Sequence, residues 1–115
     1  MTKGDVEREV RKIINRMHQE VLGKGPDQLW VKLNQNVGTF YCTKTLTPME
    51  EFLLKTSDGK EKVLVLRKAI AEVACPRLSS EIELLCGTKV LSITGKLSVD
   101  TDAIFGAILF AEDFQ

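Results

Sequence analysis

The feature that most constrains the fold is an uninterrupted apolar run, AIFGAILFA, at residues 103–111. Its length fits one β-strand and is about half of what a membrane-spanning helix needs. Successive side chains of a strand point to opposite faces, so Ile104 and Ile108 lie on one face and Phe105 on the other. Since both faces are apolar, we expect this strand to be buried on both sides of a sheet.

The N-terminal part of the chain is predicted to form a helix, a glycine and a β-hairpin. Apolar residues recur every three or four positions over residues 5–22, which predicts an amphipathic helix with Asp5 as its N-cap. Gly23 follows, where a left-handed residue ends many helices. Residues 28–34 alternate between apolar and polar side chains. After the polar stretch NQN, the sequence VGTFYCTK is expected to pair with them as a second strand.

A short helix is predicted over residues 47–54. Thr47 is placed as its N-cap, Pro48 at the first helical position, and Glu50 at the position that completes a capping box. The loop TSDGKE follows.

A long helix is predicted over residues 60–86, ended by Gly87. The strand TKVLSITGKL, the turn SVDTD and the apolar run come next, so the second half of the chain repeats the order of helix, glycine and hairpin. Pro76 lies inside the predicted helix and has no N–H to donate to the carbonyl of Glu72. We therefore expect a kink or a break at Pro76.

These elements predict a single α+β domain over residues 1–115 in the order αββααββ. Its four-stranded, mostly antiparallel sheet would carry helices on one face. The second face of the apolar strand would be covered by the N-terminal helix or by another copy of the chain. A small domain has few elements with which to cover two faces, so we predict a homodimer.

The charge balance indicates which partners to expect. Lysine and arginine together number 16, as do aspartate and glutamate. A neutral balance exerts no long-range attraction on nucleic acid, so no nucleic-acid partner is expected. The charged N-terminus MTKGDVEREVRK has no apolar core of a signal peptide, and a cytoplasmic location is predicted.

The stretch GKGP at residues 23–26 raises the question of a phosphate-binding loop. Such a loop follows a strand and precedes a helix, so that backbone N–H groups meet the phosphate. Here the stretch follows a helix, whose carbonyl end repels anions. Gly23, Gly25 and Pro26 are therefore interpreted as a helix end and a turn.

The sequence offers no evident catalytic or metal site. His18 is the only histidine, and it is expected in the middle of the first helix, at the surface or at the boundary between the apolar and polar faces. Three widely spaced cysteines match neither a disulfide framework nor a zinc site, and are interpreted as buried reduced thiols: Cys42, Cys75 and Cys86. The acidic pairs fall at a helix cap, a turn and the C-terminal end. We therefore predict no catalytic residue, no metal and no cofactor.

Arg67 and Arg77, on the long helix, are the candidate ligand-binding residues. Arg67 lies beside the apolar stripe of the helix, where an arginine extends past the core edge or pairs with an acid. Three acids are candidate partners: Glu50, Glu72 and Asp102. Binding a small anion is the functional alternative to a structural ion pair.

Several segments, taken in order, resemble the small bacterial MpsC family, named for the C component of a Na⁺-translocating, membrane-potential-generating system. The segments are GKGPDQLWVKL, LTPMEEFLL, the long helix with Arg67, and GTKVLSITGKLSVDTDAIFGAILF. The resemblance extends from about Val6 to Phe110. The family's Gly-Lys/Arg-Gly-Pro turn matches Gly23 to Pro26. The other matched positions are Leu46, Thr47, Glu50, Gly87 and Val90, whereas Lys96 or Leu97 replaces the family's aspartate before the last turn.

The resemblance implies an accessory, cytosolic part of a system that imports inorganic carbon with sodium and supports membrane potential. It brings no catalytic residues. The first hypothesis is a non-enzymatic interaction module, a soluble dimer that docks on or regulates an integral membrane transporter subunit. The alternative is a regulatory dimer that binds a small anion, such as bicarbonate, or a nucleotide near Arg67 or Arg77.

Overall fold

The computed structural model describes residues 1–114 and combines three helices with one antiparallel sheet, which confirms the α+β class. The helices are α1 (Lys3–Leu22), α2 (Pro48–Leu53) and α3 (Gly59–Cys86), and the strands are β1 (Gln28–Thr43), β2 (Val90–Ser98) and β3 (Ala103–Phe114).

The sheet has three strands in the order β1-β3-β2, with the apolar strand β3 in the middle. Ile108 of β3 lies opposite Gly38 on one side and Ile93 on the other. The prediction of four strands in the order αββααββ is wrong, because residues 28–43, with the polar stretch NQN among them, form the single strand β1. At the predicted turn, Gln35 adopts a left-handed conformation (φ 57°) beside a shift in the pairing with β3.

β1 folds back on itself at this bend. The backbone N–H of Asp27 donates to the carbonyl of Thr43 at 2.9 Å, so the two ends of β1 meet. The rings of Trp30 and Tyr41, from its two halves, have centroids 5.8 Å apart. The two halves therefore lie side by side, although they form one continuous element.

The core lies between the sheet and α1. Side chains of α1 at helical spacing pack against one face of the sheet, and Ile82 of α3 joins them. The buried members are Val6, Val10, Ile13 and Ile14 of α1, with Val31, Leu33, Cys42, Val90, Ile108 and Phe110 of the sheet.

The helix ends follow local chemistry. Asp5 was predicted as the N-cap of α1, but the cap is Thr2. The hydroxyl of Thr2 accepts the Asp5 N–H, and the Asp5 carboxylate accepts the Thr2 N–H, which forms a capping box one turn earlier. Gly23 and Gly87 end α1 and α3 with φ values of 79° and 72°, as predicted.

α3 continues through Pro76 without a break. The proline removes one helical hydrogen bond, which leaves the carbonyl of Glu72 without its helical donor. Glu72 and Pro76 are both exposed, so water can hydrate that carbonyl.

The sheet face opposite the helices is open in the single chain. Phe105 is 50% exposed, Trp30 44% and Leu109 39%. The expectation that β3 is buried on both faces is therefore wrong for one copy, because α1 and α3 pack on the same side of the sheet. We call this surface, formed by Trp30, Tyr41, Phe105 and Leu109, the outer face. The homodimer stays a prediction.

Candidate functional site

A groove of about 720 Å³ lies along α3. The middle of α3 forms one wall, and β2 with the start of β3 forms the other. The end of α1 closes one side. Most of its lining is apolar: Met17, Val21, Leu22, Phe40, Leu64, Ile70, Leu78, Ile93, Leu97 and Ile104. A volume and lining of this kind are typical of sites for small organic molecules.

A buried ion pair lies at the groove. The guanidinium of Arg67 donates to both carboxylate oxygens of Glu50, at 2.6 and 2.8 Å, and their side chains are only 9% and 4% exposed. Arg67 also donates to the carbonyl oxygen of Thr45 at 2.6 Å. Of the three acids considered as its partner, Glu50 is therefore the one selected by the fold.

The capping box of α2 holds Glu50 in place. One carboxylate oxygen accepts the Thr47 N–H at 2.9 Å and the Thr47 hydroxyl at 3.0 Å. Burial raises the pKa of Glu50, but the hydrogen bonds from Arg67 and Thr47 outweigh this effect and leave the pKa below its usual value. Thr47 and Glu50 occupy the predicted capping positions, and the cap also positions the partner of Arg67.

The loop before α2 is tied to the β2–β3 turn. Asp102 accepts the backbone N–H groups of Thr45 and Leu46 at 2.9 and 3.0 Å. This contact fixes the Thr45 carbonyl that receives Arg67. The network Asp102–Thr45–Arg67–Glu50 therefore joins the sheet to α2 and α3, and it uses much of the donor capacity of Arg67.

His18 faces the groove from α1. Its Nδ1 atom is buried and has no hydrogen-bond partner in the described chain. Burial, with a smaller contribution from the nearby charge of Arg67, lowers the pKa of His18 to about 4 from 6.5. The imidazole is therefore neutral at pH 7. The sequence placed His18 in the middle of α1, at the surface or at the boundary of its polar face. Its contact with the groove depends on how α3 packs, which no local pattern shows.

Arg67 and Arg77 do not form one site. Arg77 is half exposed and pairs with Glu20 of α1 at 3.1 Å. Ten residues along a helix separate the two side chains by roughly 15 Å. The ligand-binding role of each arginine stays a prediction.

Cations predominate around the groove. Its lining includes Lys60, Arg67, Lys68 and Lys96, against a single carboxylate, Asp100. Lys60 pairs with Asp100 at 3.2 Å, while neither Lys68 nor Lys96 forms an ion pair with another described residue. Lys96 lies opposite Phe105 in the pairing of β2 with β3, so its side chain starts on the outer face and the four cations do not form one cluster. Sequence analysis missed the lysines beside the groove because they lie far apart in a chain of zero net charge.

Two residues of the GKGP stretch, Gly25 and Pro26, lie in the turn between α1 and β1 and away from the groove lining. Gly25 packs so closely on α1 that an added Cβ would lie 2.5 Å from Asn15, and Pro26 continues the turn.

Cys42 is buried, and burial raises the pKa of its thiol to about 11. Cys75 and Cys86 are half-buried, so the prediction of buried thiols holds fully for Cys42 alone. Among residues 1–114, no three histidine, cysteine or acidic side chains lie close enough to hold a metal ion.

Comparison with known protein families identifies a family whose model matches this chain. The model of the family described as "Na+-translocating membrane potential-generating system (MpsC)" matches residues 2–112. The chain is also similar to the uncharacterized protein YrhF of Bacillus subtilis (strain 168), with 22% identity over 103 residues, which cover 89% of this chain and 84% of YrhF. No solved structure matches. None of the helices within residues 1–114 is long and apolar enough to cross a membrane.

The family match spans nearly the whole chain and agrees with the resemblance carried by the GKGP turn, the capping box of α2 and Arg67. The chain therefore belongs to the MpsC family of the Na⁺-translocating membrane-potential-generating system.

Proposed function

We propose that the chain is a non-enzymatic, cytosolic accessory module of a Na⁺-coupled membrane-potential-generating system. It acts by binding a second copy of itself and an integral membrane subunit. The observation that carries the proposal is the amount of apolar surface that a single chain leaves exposed on two separate sides, the outer face of the sheet and the solvent side of α3.

The outer face is the surface that we assign to the second copy. Its centre is uncharged and is formed by Thr39, Ala107 and Thr94, which lie side by side on neighbouring strands, and Lys96, opposite Phe105, adds one positive charge at its edge. An aromatic patch with few charges at its centre is typical of homodimer interfaces. A two-fold axis through β3 would place this patch against its own copy, as closed dimers require.

The solvent side of α3 is the surface that we assign to the membrane subunit. Val65 is 64% exposed, Val73 69% and Leu84 88%. Val65 and Val73, with the exposed Ala69 between them, follow the spacing of one helical face. We call Val65, Ala69, Val73 and Leu84 the outer stripe. An apolar helical face of this kind is the usual partner of a groove or helix in another protein.

Purification of the tagged chain from detergent-solubilised native membranes tests the proposal. We expect the wild-type chain to be a dimer by light scattering and to copurify with an integral membrane subunit of a Na⁺-transport system. Val73→Lys should keep the dimer and lose the membrane subunit, whereas Phe105→Lys should give a monomer. Ser57→Lys adds the same charge to an exposed loop and serves as the control.

Two results would contradict the proposal. One is a wild-type chain recovered without any membrane protein. The other is equal recovery of the membrane subunit with Val73→Lys, which would exclude the outer stripe.

A regulatory, ligand-binding role is the second candidate, because the groove has room for a small molecule. It ranks second because a small polar anion or a nucleotide near Arg67 would meet a largely apolar lining and a guanidinium already bound to Glu50 and Thr45. Thermal-shift screening tests this candidate, since a ligand at about 100 times its dissociation constant raises stability by about 2.7 kcal/mol. No shift with bicarbonate or nucleotides would reject it.

A further inference from the structure

The groove along α3 is a gap in the packing between a helix and a sheet. One wall is α3, and the other is the helix-facing side of β2 and β3, which contributes Ile93 and Ile104. Both walls include small residues, Ala71 and Ala74 on α3 and Gly95 on β2, which leave space where larger side chains would fill it. Water in an apolar space of about 720 Å³ gains little from its walls, so an apolar occupant is favoured.

The charged residues of the lining leave no free charge inside the groove. Arg67 and Lys60 are each bound to a carboxylate. The side chain of Lys96 starts on the outer face, and Lys68 is exposed, so water hydrates its ammonium. The imidazole of His18 is neutral at pH 7. An ionised group in the groove would lose its hydration without gaining a free counter-charge, so a neutral occupant is favoured.

The dimensions of the groove favour a narrow occupant. The lining of α3 extends from Lys60 to Leu78, roughly 27 Å of helix, so the volume of about 720 Å³ has a mean cross-section of roughly 30 Å². An α-helix with its side chains is about 10–12 Å across, which is too wide. An extended peptide would bury its N–H and C=O groups against walls made of side chains. A single aliphatic chain meets both restrictions.

His18 supplies a hydrogen-bonding group on the side of the groove that α1 closes. Its Nδ1 atom is buried without a partner in the described chain, and an unpaired buried nitrogen costs free energy. A half-turn about the Cβ–Cγ bond exchanges the two edges of the ring and breaks no hydrogen bond at Nδ1. A neutral imidazole has one N–H donor and one acceptor nitrogen, so a hydroxyl, which both donates and accepts, suits either tautomer.

We propose that the groove binds one neutral long-chain aliphatic alcohol, with its chain between α3 and the sheet and its hydroxyl at the imidazole of His18. The alcohol enters as a single molecule from solution. The proposal does not depend on the accessory role, on the dimer or on an anion near Arg67, because all of its contacts lie within one chain and none of them is ionic.

Isothermal titration of the purified chain with 1-decanol at pH 7 tests the proposal. We expect saturable binding of one molecule per chain. Decanoate has an ionised group at the end of an equally long chain, and 1-butanol has the hydroxyl on a much shorter chain, so both should bind at least roughly tenfold more weakly. His18→Leu removes the ring nitrogens and keeps an apolar side chain. It should weaken binding roughly three- to tenfold, as expected for the loss of one hydrogen bond.

Three tryptophan variants of α3 separate the groove from the rest of the surface. Ala74→Trp places a large side chain in the groove and should abolish binding. Ala71 also lines the groove but is exposed, so Ala71→Trp is the second blocking variant if Ala74→Trp does not fold. Ser80→Trp is the control, because Ser80 is exposed and does not line the groove, and it should bind as the wild type does. Thermal unfolding checks that each variant folds.

Four results would overturn the proposal. Equal affinity for decanol and decanoate would show that the groove does not select a neutral molecule. Wild-type affinity in His18→Leu would exclude the imidazole as the partner of the hydroxyl. Wild-type affinity in the folded groove variants would place the ligand elsewhere. A wild-type chain without saturable decanol binding would mean that protein, either a second copy or the membrane subunit, covers the groove instead.

Discussion

At the scale of single residues, the Arg67–Glu50 pair is the most consequential contact in the chain. Glu50→Gln would leave a guanidinium that is 9% exposed without its counter-charge. Breaking a buried pair of this kind typically costs about 3–5 kcal/mol. We expect a loss of free energy of unfolding in that range by urea denaturation. Glu51→Gln, the exposed neighbour, is the control and should change it by less than about 0.5 kcal/mol.

His18 gives the chain a pH dependence that can be isolated, since it is the only histidine. Its pKa falls from 6.5 to about 4 on folding, so between these values the unfolded chain binds a proton that the folded chain does not. The free energy of unfolding should therefore decrease by about 2 kcal/mol between about pH 7 and about pH 5.

Urea denaturation at the two pH values measures this decrease, and His18→Gln is the matched variant. Glutamine keeps a polar side chain but does not titrate, so most of the pH dependence should disappear. An equal decrease in the variant would assign the effect to carboxylates instead.

The residues also show how far sequence reasoning extends. The capping box of Thr47 and Glu50 was predictable, because every participant lies within one helical turn. The choice of Glu50 as the partner of Arg67 was not, because Glu72 lies on the same helix and Asp102 has equal charge. That choice depends on how α2 packs against α3, which is a tertiary event.

At the scale of elements, Pro76 lowers the stability of α3, because it removes one hydrogen bond from the helix interior. Pro76→Ala would restore the N–H that the carbonyl of Glu72 lacks, and alanine favours helix by about 3 kcal/mol over proline in a helix interior. We expect a gain of about 1–3 kcal/mol in the free energy of unfolding. Pro48→Ala is the control, since the first position of a helix needs no such donor. A loss of stability in Pro76→Ala would show that the rest of the fold requires the proline.

The elements were predicted in type more accurately than in number. Periodicity located α1 and α3, capping residues located α2, the uninterrupted apolar run located β3, and glycines located two helix ends. The hairpin turn NQN failed as a boundary, because Gln35 accommodates a positive φ and the extended backbone continues through it. Turn composition indicates where a chain bends but does not determine whether strand geometry is interrupted there.

At the scale of the whole molecule, the groove is the feature that could not be predicted from the sequence. Its lining comes from α1, α3, β2 and β3, and the sequence of no single one of these elements indicates a groove. The long axis of the molecule, 47 Å against 23 and 22 Å, reflects an α3 that extends past the sheet core. Few of its residues are buried in one chain: Gly59, Val63 and Ile82. The membrane subunit that we propose for the outer stripe would cover part of this helix.

The last prediction concerns the second copy of the chain that we propose for the outer face. If the outer face closes a homodimer, folding is linked to association, and the thermal midpoint of unfolding must rise with protein concentration. Each tenfold increase in concentration should add about 1.4 kcal/mol per dimer to the stability of the folded state. Differential scanning fluorimetry over a concentration series measures this shift. Phe105→Lys places a charge in the interface and should give a midpoint that does not depend on concentration. A wild-type midpoint that is equally constant would mean that the single chain folds alone and that Trp30 and Phe105 remain exposed to water.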